Sequence, residues 1–244
     1  MASTAPSPLI STTATASTVS SDSDAHKEEV IYKSWDLLIY EIWVLGIVST
    51  WAWGCGTNQY LLPQFRANVG QQHHLDIGSG TGYYLRKGNI PRSTKLTLVD
   101  LERPALEVGL RRSGRADGDN VRGIVADILQ PLPVDDRFDS VSMYYLLHCI
   151  PAPVVAKCRI FEHIKRNMTP NGVIHGANVL GRGIRRDNAF AAHVRHGVLK
   201  AGIFHNEDDN AYDFEHALRK NFHEVETSVV GSVFVFRAAK PRFN

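Results

Sequence analysis

The stretch Leu75-Asp76-Ile77-Gly78-Ser79-Gly80-Thr81-Gly82-Tyr83 decides how this chain folds. Leu75 and Ile77 flank Asp76 at the end of a short apolar run, three alternate glycines follow, and Tyr83-Tyr84-Leu85 opens a new segment. The order predicts a strand, a tight glycine turn and then a helix. Glycine adopts positive φ without steric cost and lets main-chain N–H groups come close to a ligand. A helix N-terminus behind such a turn favours negative or hydrogen-bond-accepting groups. The spacing separates ligand classes. A dinucleotide fingerprint needs its third glycine where Tyr83 stands, and a P-loop needs Gly-Lys-Ser/Thr at the helix start, which this stretch lacks.

What stands here is Asp-x-Gly-x-Gly-x-Gly, and at this point the sequence resembles the class I S-adenosylmethionine (SAM)-dependent methyltransferases, whose first motif has that form. Further stretches follow in order. Lys95-Leu96-Thr97-Leu98-Val99-Asp100 is an apolar strand ending on a carboxylate, 18 residues beyond Gly82. An acidic side chain there can accept hydrogen bonds from both hydroxyls of a ribose. Pro104-Ala105-Leu106 then starts a helix. Val121 to Ile128 gives a third short strand with Asp127 near its end, which the resemblance places beside the adenine. Arg137 to His148 is the fourth unit, strand then loop. Phe138-Asp139 and Leu147-His148 match pairs that the family often shows there. The family's common Asn or Asp at that strand's tip is Tyr144 instead. A tyrosine cannot join carboxylates around Mg²⁺, so no metal is expected.

The predicted helix over Phe161 to Met168 is stopped by Thr169-Pro170-Asn171-Gly172, similar to the family's Leu-x-Pro-Gly-Gly element, and Val173 to Val179 returns as a fifth strand. Phe214 to Asn221 is predicted as a helix, and Glu224 to Val230 and Ser232 to Ala238 as a hairpin around Gly231. The resemblance spans about residues 30 to 240. It implies an α/β, Rossmann-like fold: a doubly wound seven-stranded sheet in the order 3-2-1-4-5-7-6 with strand 7 antiparallel. The cofactor residues it implies are Asp76, Gly78, Ser79, Gly80, Thr81, Gly82, Asp100, Leu101, Asp127, Ile128 and Tyr144. The Tyr-Asp pair of similar small-molecule enzymes reads Tyr40-Glu41 here, which adds Tyr40 as a contact for the SAM carboxylate.

Composition divides the rest. Residues 1 to 29 are mostly Ser, Thr and Ala and offer no periodic apolar face, so a disordered tail is expected. They have neither a basic n-region with an apolar h-region nor the arginines of a transit peptide. Residues 30 to 69 are rich in aromatics and are expected to form one or two amphipathic helices, about 30–50 and 58–69, closing the domain mouth as a lid. Small and polar residues interrupt the uncharged run from Ile42 to Phe65 too often for a membrane span. Residues 70 to 244 form the cofactor-binding domain, with an acceptor-side insertion at 181–213. A net charge of +2 gives no pull toward nucleic acid. The three cysteines form no CxxC, which suits a reducing, cytoplasmic setting. The sequence leaves open a homodimer.

Eleven histidines compete for the chemistry. His73 and His74 precede the first strand and are expected at the surface. His193 and His196 share a helix face but have no third ligand in view. His148 falls just after the fourth strand, where an acceptor belongs, and His205 lies in the insertion. These two are the candidates for a general base, a role that suits imidazole near neutrality. The expected function is transfer of a methyl group from SAM to a small-molecule acceptor, with O-methylation in specialised metabolism as the leading form. Two alternatives remain open: a cyclase or lyase that keeps the fold and binds SAM without transferring methyl, and a non-catalytic SAM-binding subunit.

Overall fold

A computed structural model gives the structure of the protein over residues 41–115, 120–184 and 188–243. Seven strands form one sheet: β1 (His73–Ile77), β2 (Lys95–Asp100), β3 (Val121–Val125), β4 (Phe138–Tyr144), β5 (Met168–Val179), β6 (Phe222–Val230) and β7 (Val233–Pro241). Their order is β3-β2-β1-β4-β5-β7-β6, and β7 runs antiparallel to both neighbours. The expected topology is therefore the observed one. Between β1 and β4 the direction of winding reverses, so a crevice opens beyond their carboxyl ends.

The two faces of the sheet are built differently. Alternation along the strands sends Leu75, Ile77, Val141, Met143, Ile174, Phe234 and Phe236 to one face. There they pack with Ile160, Phe161 and Ile164 of α5 (Val154–Lys165) and Phe214 and Leu218 of α7 (Ala211–Asn221) into an apolar core. The other face carries His74, Asp76, Ser140, Ser142, Tyr144 and His175, all buried. It is covered by α2 (Leu62–Asn68), whose Phe65 ring contacts His74, Tyr84, Tyr144 and His175 at centroid distances of 5.4–5.8 Å. His74 is thus fully buried, against the expectation of a surface position. It falls inside β1, in register with Ser140 of β4, so its ring lies under the helix.

The N-terminal helices divide their work. The first, α1 (Glu41–Ala52), is wound with the wide i→i+5 pattern of a π-helix, and Leu45 on it lines the crevice. The second, α2, follows a short wide turn (Thr57–Leu61) and lies on the sheet. The glycine turn is followed by α3 (Tyr83–Lys87), and β2 by α4 (Arg103–Arg112) with Pro104 in its first turn. Two boundaries differ from expectation. Helix α5 starts seven residues earlier than expected, behind Pro153, and ends at Lys165. The segment Thr169–Gly172 is a strand rather than a stop, because the β4–β5 pairing shifts register between Phe138 and Ser140 and absorbs Pro170. Within the insertion, α6 (Ala189–Lys200) is capped by Asn188, whose side chain accepts from the Ala191 N–H.

Candidate active site

The cofactor half grows out of β1. Gly78, Gly80 and Gly82 all hold left-handed φ, at 69°, 50° and 68°. That winding folds the chain back so that Gly78 N–H still reaches Val99 O at 2.8 Å and Gly82 N–H closes a turn on Ser79 O at 2.8 Å. The three serve different ends. A Cβ on Gly78 would strike Leu146 at 2.7 Å and one on Gly82 would press Arg112 at 3.0 Å, whereas one on Gly80 would meet nothing nearer than 4.0 Å. Gly78 and Gly82 are glycine for packing. Gly80 faces open space, and its bare backbone leaves room for a ligand.

Around that space stand Leu45, Asp76, Ser79, Thr81, Tyr83, Tyr84, Tyr144 and Tyr145, enclosing about 100 Å³. Asp76 is buried there and accepts from the Ser142 hydroxyl. Burial raises its carboxyl to about 7, the Ser142 bond opposes the rise and the Asp100 charge adds to it. Behind it runs a hydrogen-bonded line: Ser142 Oγ to His74 Nε2 at 3.0 Å, His74 Nδ1 to Ser140 Oγ at 2.6 Å, and Gly70 N–H to Ser140 Oγ at 2.6 Å. An ionised Asp76 takes the Ser142 proton, so Ser142 accepts from His74 Nε2–H. Nδ1 then accepts from Ser140, which accepts from Gly70. Burial lowers His74 to about 3, which keeps the ring neutral in this line.

Asp100 closes the outer side. Its carboxylate accepts from the Glu102 N–H at 3.0 Å and also from the N–H groups of Leu101 and Gly80. Burial raises its carboxyl and these bonds pull it back. The structure therefore joins Asp76, Gly78, Ser79, Gly80, Thr81 and Tyr144 around one space, with Asp100 tied to its rim through Gly80. Leu101 is exposed and Asp127 lies further along the strand ends. The Asp127 carboxylate accepts from the Leu129 N–H at 2.9 Å, and Ile128 beside it is buried. Tyr40 lies outside the described residues.

Tyr145 was not among the expected cofactor residues. It follows β4 with φ at 58°, a conformation a bulky residue rarely adopts. Its N–H reaches Ala177 O at 2.8 Å, and its hydroxyl meets that of Ser49 on α1 at 2.7 Å. The crevice and the wide helix are thereby joined.

On the side where the acceptor is expected stands His148. Its ring is buried between Phe204 (4.2 Å) and Tyr145 (5.8 Å), and its Nδ1 lies 2.9 Å from Asn178 Oδ1. Burial lowers the imidazole to about 3; the Asn178 bond opposes this, and the charges of Lys157 and Arg195 reinforce it. His205 is placed differently from His148. Its imidazole is exposed, and its main chain contributes instead: N–H to His148 O and carbonyl to Lys157 Nζ, both at 2.7 Å. Beyond Phe204, Trp53 stacks at 5.7 Å and carries the Arg195 guanidinium over its ring at 5.4 Å. These two residues wall a cavity of about 500 Å³ between α1, α6 and the β6–β7 turn.

Comparison with known proteins decides the family. Residues 69–225 match the methyltransferase domain family, a range that runs from β1 to the start of β6. The chain belongs to the class I SAM-dependent methyltransferases. It is 74% identical over 236 residues to the N-methyltransferase vrtF of Penicillium aethiopicum, covering 97% of each chain. It is also 60% identical over 222 residues to the O-methyltransferase adaD of Aspergillus niger, covering 88% of each. Among solved structures, the N-methyltransferase NodS of Bradyrhizobium japonicum in complex with S-adenosylhomocysteine superposes with a TM-score of 0.53 at 16% identity, over 74% of this chain and 84% of that one, a likeness of fold. As a methyltransferase of this class, the protein uses SAM as cofactor and acts on a small-molecule acceptor. The open backbone at Gly80, beside Asp76 and Asp100, fits such a cofactor. No helix among the described residues is long and apolar enough to cross a membrane.

Proposed function

We propose that this methyltransferase O-methylates a small hydroxylated acceptor in specialised metabolism, in the cytoplasm and without nucleic acid as substrate. The carrying observation is the pairing of an open, left-handed Gly80 with a neutral, buried His148 at the far side of Tyr145. SAM supplies an electrophilic methyl group. The chain's own residues do the rest. Asp100 would take the ribose hydroxyls, Asp127 and Ile128 would border the adenine, and Leu101 would contribute beside Asp100. The backbone of Gly78 to Gly82, with Ser79, Thr81 and Tyr144, would hold the remainder, and Tyr40, outside the described residues, is the contact expected for the carboxylate.

The acceptor enters from the side of the larger cavity, where Trp53 and Arg195 suit a planar, electron-rich or ionised group. His148 Nε2 accepts the hydroxyl proton as the oxygen takes the methyl group. His205 serves through its main chain, as the hydrogen bond that fixes the loop against His148. Most of the acceleration then comes from holding two reactants at attack distance in a site closed to water. The relatives named above carry both N- and O-methyltransferase names, so the atom must be tested directly. Incubation with methyl-labelled SAM and a panel of phenols, carboxylic acids and amines should label a phenolic oxygen. Label on amines alone would overturn the O-methylation reading. Conversion of an acceptor with SAM unconsumed would replace transfer by the cyclase or lyase alternative.

A further inference from the structure

Three side chains distant in sequence meet behind His148. Lys157 of α5 and Asp209 of the insertion form an ion pair at 2.9 Å, with side-chain exposures of 0% and 1%. Lys157 Nζ donates to both Asp209 oxygens, at 2.9 and 3.0 Å, and to the His205 carbonyl. Asn178 of β5 donates from Nδ2 to Asp209 Oδ2 at 3.3 Å. Its Oδ1 accepts the His148 main-chain N–H at 2.7 Å and faces the ring Nδ1 at 2.9 Å. A buried ion pair of this kind is a weak source of stability, because desolvation offsets much of its attraction. Its placement calls for another explanation.

The hydrogen-bond chemistry leaves one arrangement. A flipped Asn178 amide would set its NH₂ against the His148 N–H and its oxygen against the Asp209 carboxylate, two repulsive pairs. With the amide oriented as found, Oδ1 is an acceptor and the ring's Nδ1 must carry the proton. The Val179 N–H also points at Nδ1, at 3.4 Å, and would suit a bare Nδ1, but an amide oxygen at 2.9 Å is the closer partner and demands the proton there. Nε2 is therefore the ring's bare nitrogen, and no described residue donates to it. We propose that Lys157, Asp209 and Asn178 are positioning residues: the ion pair orients the Asn178 amide, and the amide locks His148 as the Nδ1–H tautomer with Nε2 free to take the acceptor's proton. This rests on His148 being the proton acceptor of the proposed reaction. In the transfer the acceptor's O–H bond breaks and its proton joins Nε2, the oxygen would gain the methyl group as the cofactor's sulfur–methyl bond breaks to leave S-adenosylhomocysteine, and the proton passes to solvent when the products depart.

The test reads the tautomer directly. Nitrogen-15 spectra of the histidine-labelled protein at pH 7, with His148 assigned by its loss in His148→Gln, should show a protonated Nδ1 and a bare Nε2. Asn178→Ala should lose that preference and lower kcat about 10²–10⁴-fold on a phenol the wild type methylates, the scale seen when a catalytic histidine is held in the wrong tautomer. Its S-adenosylhomocysteine affinity should stay within about twofold of wild type, since no cofactor contact is touched. Asn178→Asp combined with Asp209→Asn keeps an acceptor on Nδ1–H without opposing two carboxylates, so the double variant should keep the tautomer and most of the turnover, and should move the acid limb of the kcat–pH profile upward by favouring the imidazolium. A proton on Nε2 in the wild type, or an unchanged tautomer in a folded Asn178→Ala, overturns the relay. Full turnover in His148→Ala overturns the base role itself. The two failures are told apart because the tautomer is measured without turnover.

Discussion

The two halves of the proposed site are built by different means. The cofactor half is made of main chain: three left-handed glycines within five residues, with carboxylates set at the strand ends beside them. The acceptor half is made of side chains, with His148, Asn178 and Asp209 brought together from a loop, a strand and an insertion, and Lys157 from a helix. A main-chain cradle depends on conformation, so one wrong residue type should abolish it. A side-chain cluster depends on bonding, so one lost partner should disable chemistry and leave binding alone.

His148→Ala gives the largest expected effect. Turnover of a neutral phenol should fall about 10²–10⁴-fold with S-adenosylhomocysteine affinity intact. The loss should shrink for acceptors already ionised at the assay pH, which need no base. A variant with full turnover on a neutral hydroxyl would show that the acceptor half holds its ligand by shape alone.

Gly80→Val should act in the opposite half. A β-branched residue at φ near 50° is strained, and its side chain would project into the space now open above Gly80. Calorimetry should show S-adenosylhomocysteine affinity lower by about 100-fold or more, while circular dichroism keeps the signature of the fold, since the strain is confined to one turn in which an added Cβ meets nothing nearer than 4.0 Å. Wild-type affinity in this variant would place the cofactor elsewhere.

This contrast also explains what the sequence revealed. The glycine stretch is contiguous, so the turn at Gly78 to Gly82, the strand ending on Asp100 and the sheet order were legible. The polar relay was not. Asn178 sits in an apolar strand and Asp209 in an acidic stretch of the insertion, and nothing local links them. Lys157 gave the one available hint. It occupies the same helix face as Ile160, Phe161 and Ile164, where a lysine is out of place unless paired. His74 was missed for a related reason: it begins a strand next to another histidine, and its burial follows only from α2 lying across the sheet. The left-handed φ of Tyr145 had no signal, since tyrosine is among the residues least expected there.

Asp100→Ala should weaken SAM binding by about 2–3 kcal/mol, because two ribose hydroxyls lose a charged acceptor. It should leave the His148 tautomer untouched. A change in that tautomer would mean the two halves are coupled through the sheet, and the comparison drawn here would fail.

Asp76→Asn should have the smallest effect and the most informative sign. Asp76 is the more deeply buried of the two carboxylates in the cofactor half, and burial holds its carboxyl at about 7 in the fold against 3.8 as a free side chain. A raised carboxyl means the folded state binds the proton more tightly than the unfolded state. That stabilisation is fully present below about 3.8, declines as pH rises, and is gone above about 7. The isosteric amide has no such dependence and can still accept from Ser142. Relative to wild type, Asp76→Asn should therefore gain stability as pH rises from 4 to 7 and hold the gain above it, with Tm higher by about 2–4 °C at pH 8 if about 1 kcal/mol is recovered. Cofactor binding should move the other way. SAM carries a sulfonium and an ammonium, so wild-type affinity should climb as Asp76 ionises near pH 7, while the variant binds more weakly at pH 8 and shows no climb. Thermal melts and calorimetry over pH 5–8 read both quantities. A variant that is no more stable at pH 8, with a pH-independent wild-type affinity, would mean that Asp76 is a structural partner of Ser142 alone and that the cradle is main chain throughout.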